Sequence, residues 1–201
     1  MDEIQYLLKP EWVTWDSVQE CQRKAQESNN AKGFHMAAQD LSAEYLEKKM
    51  RGGLCFVALD GKRVVGVSGL LLFKGKNWWS FGKKVAYNCM DGILPEYQGT
   101  DVYFGLSDLR MKYIKESGAD IIQSNTSEHN RMILKICEKK GFKKVRFSAT
   151  GKNINVDYYS IIMAKWLKGC PYSDWFCNFM YTASKIIIKA IWKPGYKLRF
   201  G

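Results

Sequence analysis

Between Ile93 and Phe142 the chain reads Ile-Leu-Pro-Glu-Tyr-Gln-Gly, then a stretch of helical period, a short apolar run, and Asn130 leading into Cys-Glu-Lys-Lys-Gly-Phe. No other feature confines the fold as closely. A tight glycine turn between a strand and a helix opening gathers backbone N–H groups that can hold an anion. Within the stretch, Val102, Leu106, Leu109 and Tyr113 form an apolar stripe of helical spacing. A second helix ending at Gly141, with Phe142 after it, leads into the strand that would complete such a site.

The flanking segments can be read on the same terms. Ile4–Leu8 is a strand stopped by Pro10, and Thr14 or Asp16 caps a helix through Val18, Cys21, Gln22 and Ala25 that ends at Asn29-Asn30. Ser42–Met50 is a second helix, with Leu41, Tyr45 and Met50 on one side and Gly52-Gly53 closing it. Asp60-Gly61 between two apolar runs predicts a type I′ hairpin joining a strand over 54–59 to one over 63–73. A strand over Trp78–Asn88 follows the Lys74-Gly75-Lys76 turn and continues through Cys89-Met-Asp-Gly-Ile-Leu-Pro95. Beyond it come a helix over Thr100–Ser117, a strand at Ile121–Asn125, and a helix over Glu128–Lys140 with Met132, Ile133, Ile136 and Cys137 towards a core. Two strands, Phe142–Ala149 and Asn155–Leu167, close the order around a Gly151-Lys152-Asn153 turn. That order specifies an α/β (α+β) fold: a mixed, mostly antiparallel, twisted sheet flanked by helices.

Composition narrows the chemistry. The 201 residues suit one ordinary domain. Six cysteines without a C-x-x-C pair, and only two histidines, leave little material for a metal site. Free thiols, and an N-terminus without a basic, apolar leader, fit a reducing cytoplasm. The net charge of +11 is uneven: residues 143–201 hold 11 Lys or Arg against Asp157 and Asp174, a local net of +9. Such a field suits nucleotide phosphates, acidic lipids or nucleic acid, or simply a solvated surface.

Over residues 3–167 the order and the motifs together resemble the GNAT N-acetyltransferases. The family's Gln/Arg-x-x-Gly-x-Gly/Ala loop aligns with Gln98-Gly99-Thr100-Asp101-Val102-Tyr103, and Ile93, Pro95, Glu96 and Tyr97 match its approach. Asn130, Ile133, Leu134, Glu138, Gly141 and Phe142 keep the spacing of its later segment, and Tyr159–Leu167 resembles its terminal strand. The resemblance implies a GNAT-like acyltransferase domain over 1–167, with acetyl-CoA or another short acyl-CoA as co-substrate and no metal. It puts the diphosphate on Gln98, Gly99, Thr100, Asp101, Val102 and Tyr103. It puts the pantetheine arm and thioester carbonyl on amides near Ile93, Leu94 and Pro95, with Asn130 bonding the arm or a water beside it. The implied reaction transfers the acyl group, most simply acetyl, to a primary amine by direct attack. Three positions depart from the pattern: Asp101 stands where the loop expects Gly, Tyr103 replaces a small residue, and Cys137 replaces the Tyr that many members use to reprotonate the thiolate. These departures leave open a GNAT-fold ligand-binding or regulatory module without catalysis. The basic tail leaves open acyl transfer from an aminoacyl-tRNA.

Asp91 lies two residues before Ile93 on one strand face, where a carboxylate can take a proton from the amine; its alternative is a strand-end residue satisfying turn amides. Cys137 is either the proton donor or buried packing. His35, between the first two helices, is a minor base candidate; His129 faces either ligand or solvent. Trp78-Trp79 lines an acceptor pocket or covers the sheet. Glu96 reads as part of the turn.

Residues 168–201 form a basic, aromatic extension. In it Phe176, Phe179, Met180, Ala183, Ile187 and Ala190 share a helical stripe, while Lys185, Lys189 and Lys193 lie elsewhere. This helix packs on the domain or a second subunit, covers the acceptor cleft, or lies on an anionic membrane. The acceptor expected is a small-molecule amine, with an anionic one such as a nucleotide-linked amino sugar favoured by the charge. A homodimer is compatible with the chain, and nucleic acid is not the expected partner.

Overall fold

A computed structural model describes residues 3–33, 42–150 and 158–192; His35 and the Gly151 turn lie outside them. Seven strands form one sheet in the order β1-β2-β3-β4-β5-β7-β6. They are β1 (Gln5–Leu8), β2 (Leu54–Asp60), β3 (Arg63–Lys74), β4 (Lys84–Ile93), β5 (Ile121–Ser127), β6 (Lys143–Thr150) and β7 (Tyr158–Trp166). Five helices flank it: α1 (Trp15–Ala31), α2 (Ala43–Lys49), α3 (Val102–Glu116), α4 (Arg131–Lys139) and α5 (Asp174–Ile191). All pairings are antiparallel except β4 with β5. The mixed, mostly antiparallel sheet read from the element order is the one observed.

The helix starts follow capping chemistry. Thr14, Ser42, Asn130 and Ser173 each accept a hydrogen bond from a backbone N–H three residues on, satisfying a donor the helix cannot. Three apolar clusters result. One lies between α1, α2, α3 and strands β2–β4, around Phe56, Leu59 and Leu70; a second lies between α4, β6 and β7, around Phe147 and Met163; the third, Trp79, Val85, Ile121, Val145 and Ala164, runs across β4, β5, β7 and β6.

Several boundaries differ from expectation. The β2–β3 pairing closes Asp60 on Arg63, so the loop is Gly61-Lys62, and only Gly61 takes a positive φ, +58°. That is the type II′ pattern rather than type I′. The strand expected from Trp78 begins at Lys84, because Trp78-Trp79 belongs to the preceding turn. Helix α3 buries Val102, Leu106, Ser107, Arg110 and Ile114, with Leu109 and Tyr113 at the margin. In α4 the inward residues are Leu134 and Cys137, while Met132 is exposed. In α2 the inward residue is Leu46, with Met50 buried at its end and Tyr45 outside.

Candidate active site

A defect in the β3–β4 ladder builds the site. Val67 pairs with Gly92 and Gly69 with Cys89, so Met90 and Asp91 together oppose Ser68 alone. This is a β-bulge, and Met90 takes a φ of +57°, the one positive value among the described non-glycine residues. A bulge bends its strand and increases local twist. Just before it β4 leaves β5: the two pair only through Val85–Ile121, Ala86–Ile122 and Tyr87–Gln123. The stretch Cys89–Ile93 has no β5 partner in the ladder, and a small groove lies beside it, between β3, β4 and α3.

Glycine lets α3 approach this groove. A Cβ at Gly66 would stand 2.8 Å from Val102 Cγ1 and 3.0 Å from Leu106 Cδ1, so the helix lies directly on β3. Gly92, on the other face, sits against Gln22 and Ala25 of α1. The side chains of Ser68 and Asp91 therefore reach α3. There Arg110, about 5% exposed, donates to Asp91 Oδ1 at 2.5 Å and to Ser68 Oγ, and Ser68 Oγ donates to the same Asp91 oxygen at 2.7 Å. Both contacts fall on Oδ1. The Asp91 side chain remains 42% exposed.

Asp91 thus bonds a buried arginine and a serine rather than turn amides. Arg110 escaped the sequence reading, although it sits one turn after Leu106 inside the apolar stripe. An arginine at a core position was the available signal, and its partner lies 19 residues away on a strand.

The loop before α3 is pinned from several sides. Pro95–Tyr97 form a 3₁₀ turn tied to the β2–β3 hairpin by Tyr97 Oη donating to Asp60 Oδ2 at 2.5 Å and by the Arg63–Glu96 ion pair at 2.6 Å. Glu96 is structural, as read. Gln98 Nε2 donates to the Ile93 carbonyl at 3.1 Å, and its Oε1 accepts from Lys32 Nζ at 2.5 Å, so this side chain braces the strand end. Leu94 N–H donates to Val65 O at 3.0 Å and Pro95 has no N–H, which leaves the splayed Cys89–Ile93 stretch to offer backbone groups. Gly99 turns the chain with φ +86° and open space beside it. Thr100 Oγ1 accepts from Val102 N–H at 3.4 Å. Asp101 occupies the N-cap without capping, exposed and on the Tyr6 side, where it raises the Tyr6 pKa in addition to the larger effect of burial.

Tyr103 does enter the groove. It lines a small pocket with Asp91, Ile93, Leu106, Ser107 and Arg110. Burial, reinforced by the Asp91 charge, pushes its phenol up to about 12. Lys140, just past α4, lies 5.5 Å from the Tyr103 ring and 5.8 Å from that of Phe104, with Nζ 3.5 Å from Ser107 Oγ. An ammonium therefore sits beside the first turns of α3.

Cys137 is close enough for its charge to couple to Tyr103, but it does not line that pocket. It is 7% exposed within the α4 core, and burial pushes its thiol up to about 11. Asn130 is buried and its Oδ1 accepts from Ile133 N–H at 3.2 Å as the α4 cap. Trp78 and Trp79 meet edge-to-face at 5.7 Å, and Trp78 packs on Tyr172 and Phe176. They cover the sheet and anchor α5. A wider surface cleft between the β1–α1 turn and α2, lined by Lys9, Trp15, Glu44 and Glu47, shares no residue with the groove. Among the described residues no cluster of His, Cys, Asp or Glu could hold a metal, and no helix is long and apolar enough to cross a membrane.

The residues present suit an acyl-coenzyme A at both ends of the groove. The α3 N-terminus with Lys140 offers N–H groups and a cation to phosphates. The unpaired β4 edge offers backbone partners to an amide-bearing arm.

No protein-family profile matches the chain, and no curated protein sequence does. Solved structures do match. A GNAT-family acetyltransferase of Staphylococcus aureus superposes with a TM-score of 0.60 at 15% identity, over 82% of this chain and 99% of that one. A Bacillus subtilis acetyltransferase in complex with CoA gives 0.56 at 15% identity, over 82% and 99%. A chain of the NatC complex, solved with Gag peptide and CoA, gives 0.62 at 14% identity, over the same shares. With its bulged fourth strand, splayed β4–β5 pair and glycine-turned central helix, the chain has the GNAT N-acetyltransferase fold.

Proposed function

We propose that the protein is an acyl-coenzyme A-dependent N-acyltransferase, most simply an N-acetyltransferase, acting on a primary amine. One observation carries the reading: the β4 stretch without a β5 partner and the first turns of α3 line one small groove together with Asp91. Coenzyme A, when bound, supplies the acyl group as an activated thioester. Backbone groups of the Cys89–Ile93 stretch hold the arm and face the carbonyl, where fixed dipoles stabilise developing negative charge. Asp91 Oδ2 takes a proton from the incoming ammonium, directly or through a water, while Arg110 and Ser68 hold Oδ1 in place. The amine nitrogen bonds the acyl carbon as the carbon–sulfur bond breaks.

The leaving sulfur needs a proton. Tyr103 replaces Cys137 as our assignment for this role, because its phenol lines the groove whereas the thiol is turned into the α4 core. Both groups keep their protons at neutral pH, so position decides between them. The basic C-terminal part makes an anionic amine, such as a nucleotide-linked amino sugar, the first acceptor to try.

The test is calorimetric titration with acetyl-CoA, followed by thiol release across an amine panel. Tyr103→Phe should lower kcat by about 10²-fold or more, the usual weight of one proton-transfer group, with KM little changed. Cys137→Ala should leave kcat within a small factor of the parent. Absence of acetyl-CoA binding at millimolar concentration would sink the enzymatic reading.

A ligand-binding module without turnover is the second reading, and the Tyr103 ring inside the groove is the observation that favours it. Binding of coenzyme A with no thiol release from any amine would establish it.

A further inference from the structure

Helix α5 meets the domain along one side only. Cys177, Tyr181, Ser184 and Ile188 face the sheet edge: Cys177 is buried, Ser184 Oγ accepts from Phe147 N–H at 2.8 Å, and Tyr181 and Ile188 join the α4 core. The opposite side carries Trp175, Phe179, Ile186 and Ile187, which are 72%, 54%, 66% and 56% exposed. Trp175 and Phe179 stack with ring centroids 5.5 Å apart. Their spacing places Trp175, Phe179 and Ile186 on a single stripe. The stripe read from the sequence, through Phe176, Met180 and Ala183, lies beside this face and shares in the packing at Phe176, which meets Trp78 at 5.3 Å and Tyr172 at 5.6 Å.

Large apolar side chains aligned on one exposed helix face mark an interaction surface rather than scattered apolar exposure. Nothing among the described residues covers it. The helix, about 27 Å long at 1.5 Å per residue, runs along the β6 edge, so its outer stripe can lie flat on a plane. Lysines border it. Lys185 and Lys189 lie over the Phe147 ring at 5.8 and 5.5 Å, and Lys189 reaches Glu128 at 3.4 Å.

We propose that α5 docks the protein on an anionic lipid surface, with Trp175, Phe179 and Ile186 seated among headgroups and the basic C-terminal part supplying the attraction. Charge selects this occupant. The segment 143–201 carries a net of +9, from 11 Lys or Arg against two Asp. Two-fold packing of α5 on α5 would bring two such segments face to face. A bilayer rich in acidic lipid neutralises the same field. Indole and phenyl rings suit the interfacial layer, where apolar faces are buried and edges stay wet. The helix lies on the membrane and does not cross it.

The test uses full-length protein and floats it with vesicles of phosphatidylcholine alone or mixed with phosphatidylglycerol. Binding is expected only with the anionic vesicles, and should weaken as salt rises through about 0.15 M, where screening reaches about 8 Å. Trp175→Ser combined with Ile186→Ser should lower the partition coefficient roughly tenfold or more, the factor expected when buried apolar side chains are lost. Both positions are exposed, so the melting temperature should not move. Trp12→Ser, an exposed aromatic beyond β1 at the far edge of the sheet, should bind like the parent. Absence of binding to anionic vesicles, equal binding by the double variant, or sedimentation showing a dimer that those substitutions dissociate would overturn the proposal. None of these results depends on acyl transfer.

Discussion

Replacing Asp91 with alanine strands a cation. Arg110 is about 5% exposed and donates to two side chains, Asp91 and Ser68, of which only the first is charged. Removing one member of a buried pair leaves the other's desolvation unpaid, and the usual loss is about 3–5 kcal/mol. Asp91 is 42% exposed, so some water already reaches the pair and the lower figure applies, about 3 kcal/mol. For a chain of this size that corresponds to a melting temperature lower by about 6–12 °C. Arg110→Met works differently. The carboxylate left behind has water on one side and the Ser68 hydroxyl on the other, and methionine refills the apolar stripe, so the loss should be about 1 kcal/mol or less. The combination is decisive: adding Arg110→Met to Asp91→Ala removes the stranded charge and should raise stability above that of Asp91→Ala alone. Urea titration of the three variants reads this directly. A double variant weaker than both singles would refute the reasoning, and with it the view that Asp91 is what permits a buried guanidinium behind the groove.

Three further outcomes follow from the packing and the titrations. Gly105→Ala puts a methyl 2.2 Å from the Tyr6 ring and should cost about 2 kcal/mol, part of which Tyr6→Ala in the same chain recovers, as thermal melts would show. Asn130→Ala removes the α4 cap and should cost about 1 kcal/mol, whereas Asn130→Asp, which keeps the acceptor, should cost little in the same melts. Burial raises the thiols of Cys21 and Cys55 to about 12, and of Cys89 and Cys137 to about 11, so the unfolded chain releases these protons first as pH rises. Stability should therefore be complete below about pH 8.5 and decline towards pH 11, with these four thiols together costing about 5 kcal/mol near pH 10; urea midpoints in reducing buffer that stay level from pH 8 to pH 10 would contradict this.

What the sequence disclosed was local. The Asp60-Gly61 hairpin, the Asn130-to-Phe142 segment and the element order each rest on spacing within a few turns, and all three recur in the fold. The turn type was misread by one residue because Gly61, not Asp60, takes the left-handed position. The bulge at Met90 had no warning in composition, since neither Gly nor Asn stands there and the strain is imposed by pairing with β3. Arg110 needed its tertiary partner to become intelligible. The α5 packing face was obscured because apolar residues occur on both sides of that helix, and periodicity alone does not say which side meets protein.

Only three residue pairs stitch β4 to β5, and buried side chains pack across that join: Val85 with Ile121 in one cluster, Ala86 with Ile122 in another. The two strands are therefore fastened firmly at one end and left unpaired at the other. A ligand lying along the unpaired end would bridge both strands and act as a staple across the joint. Its grip should slow amide-proton exchange on β5 and β7, strands on the far side of the joint from Asp91, as well as in the groove it fills.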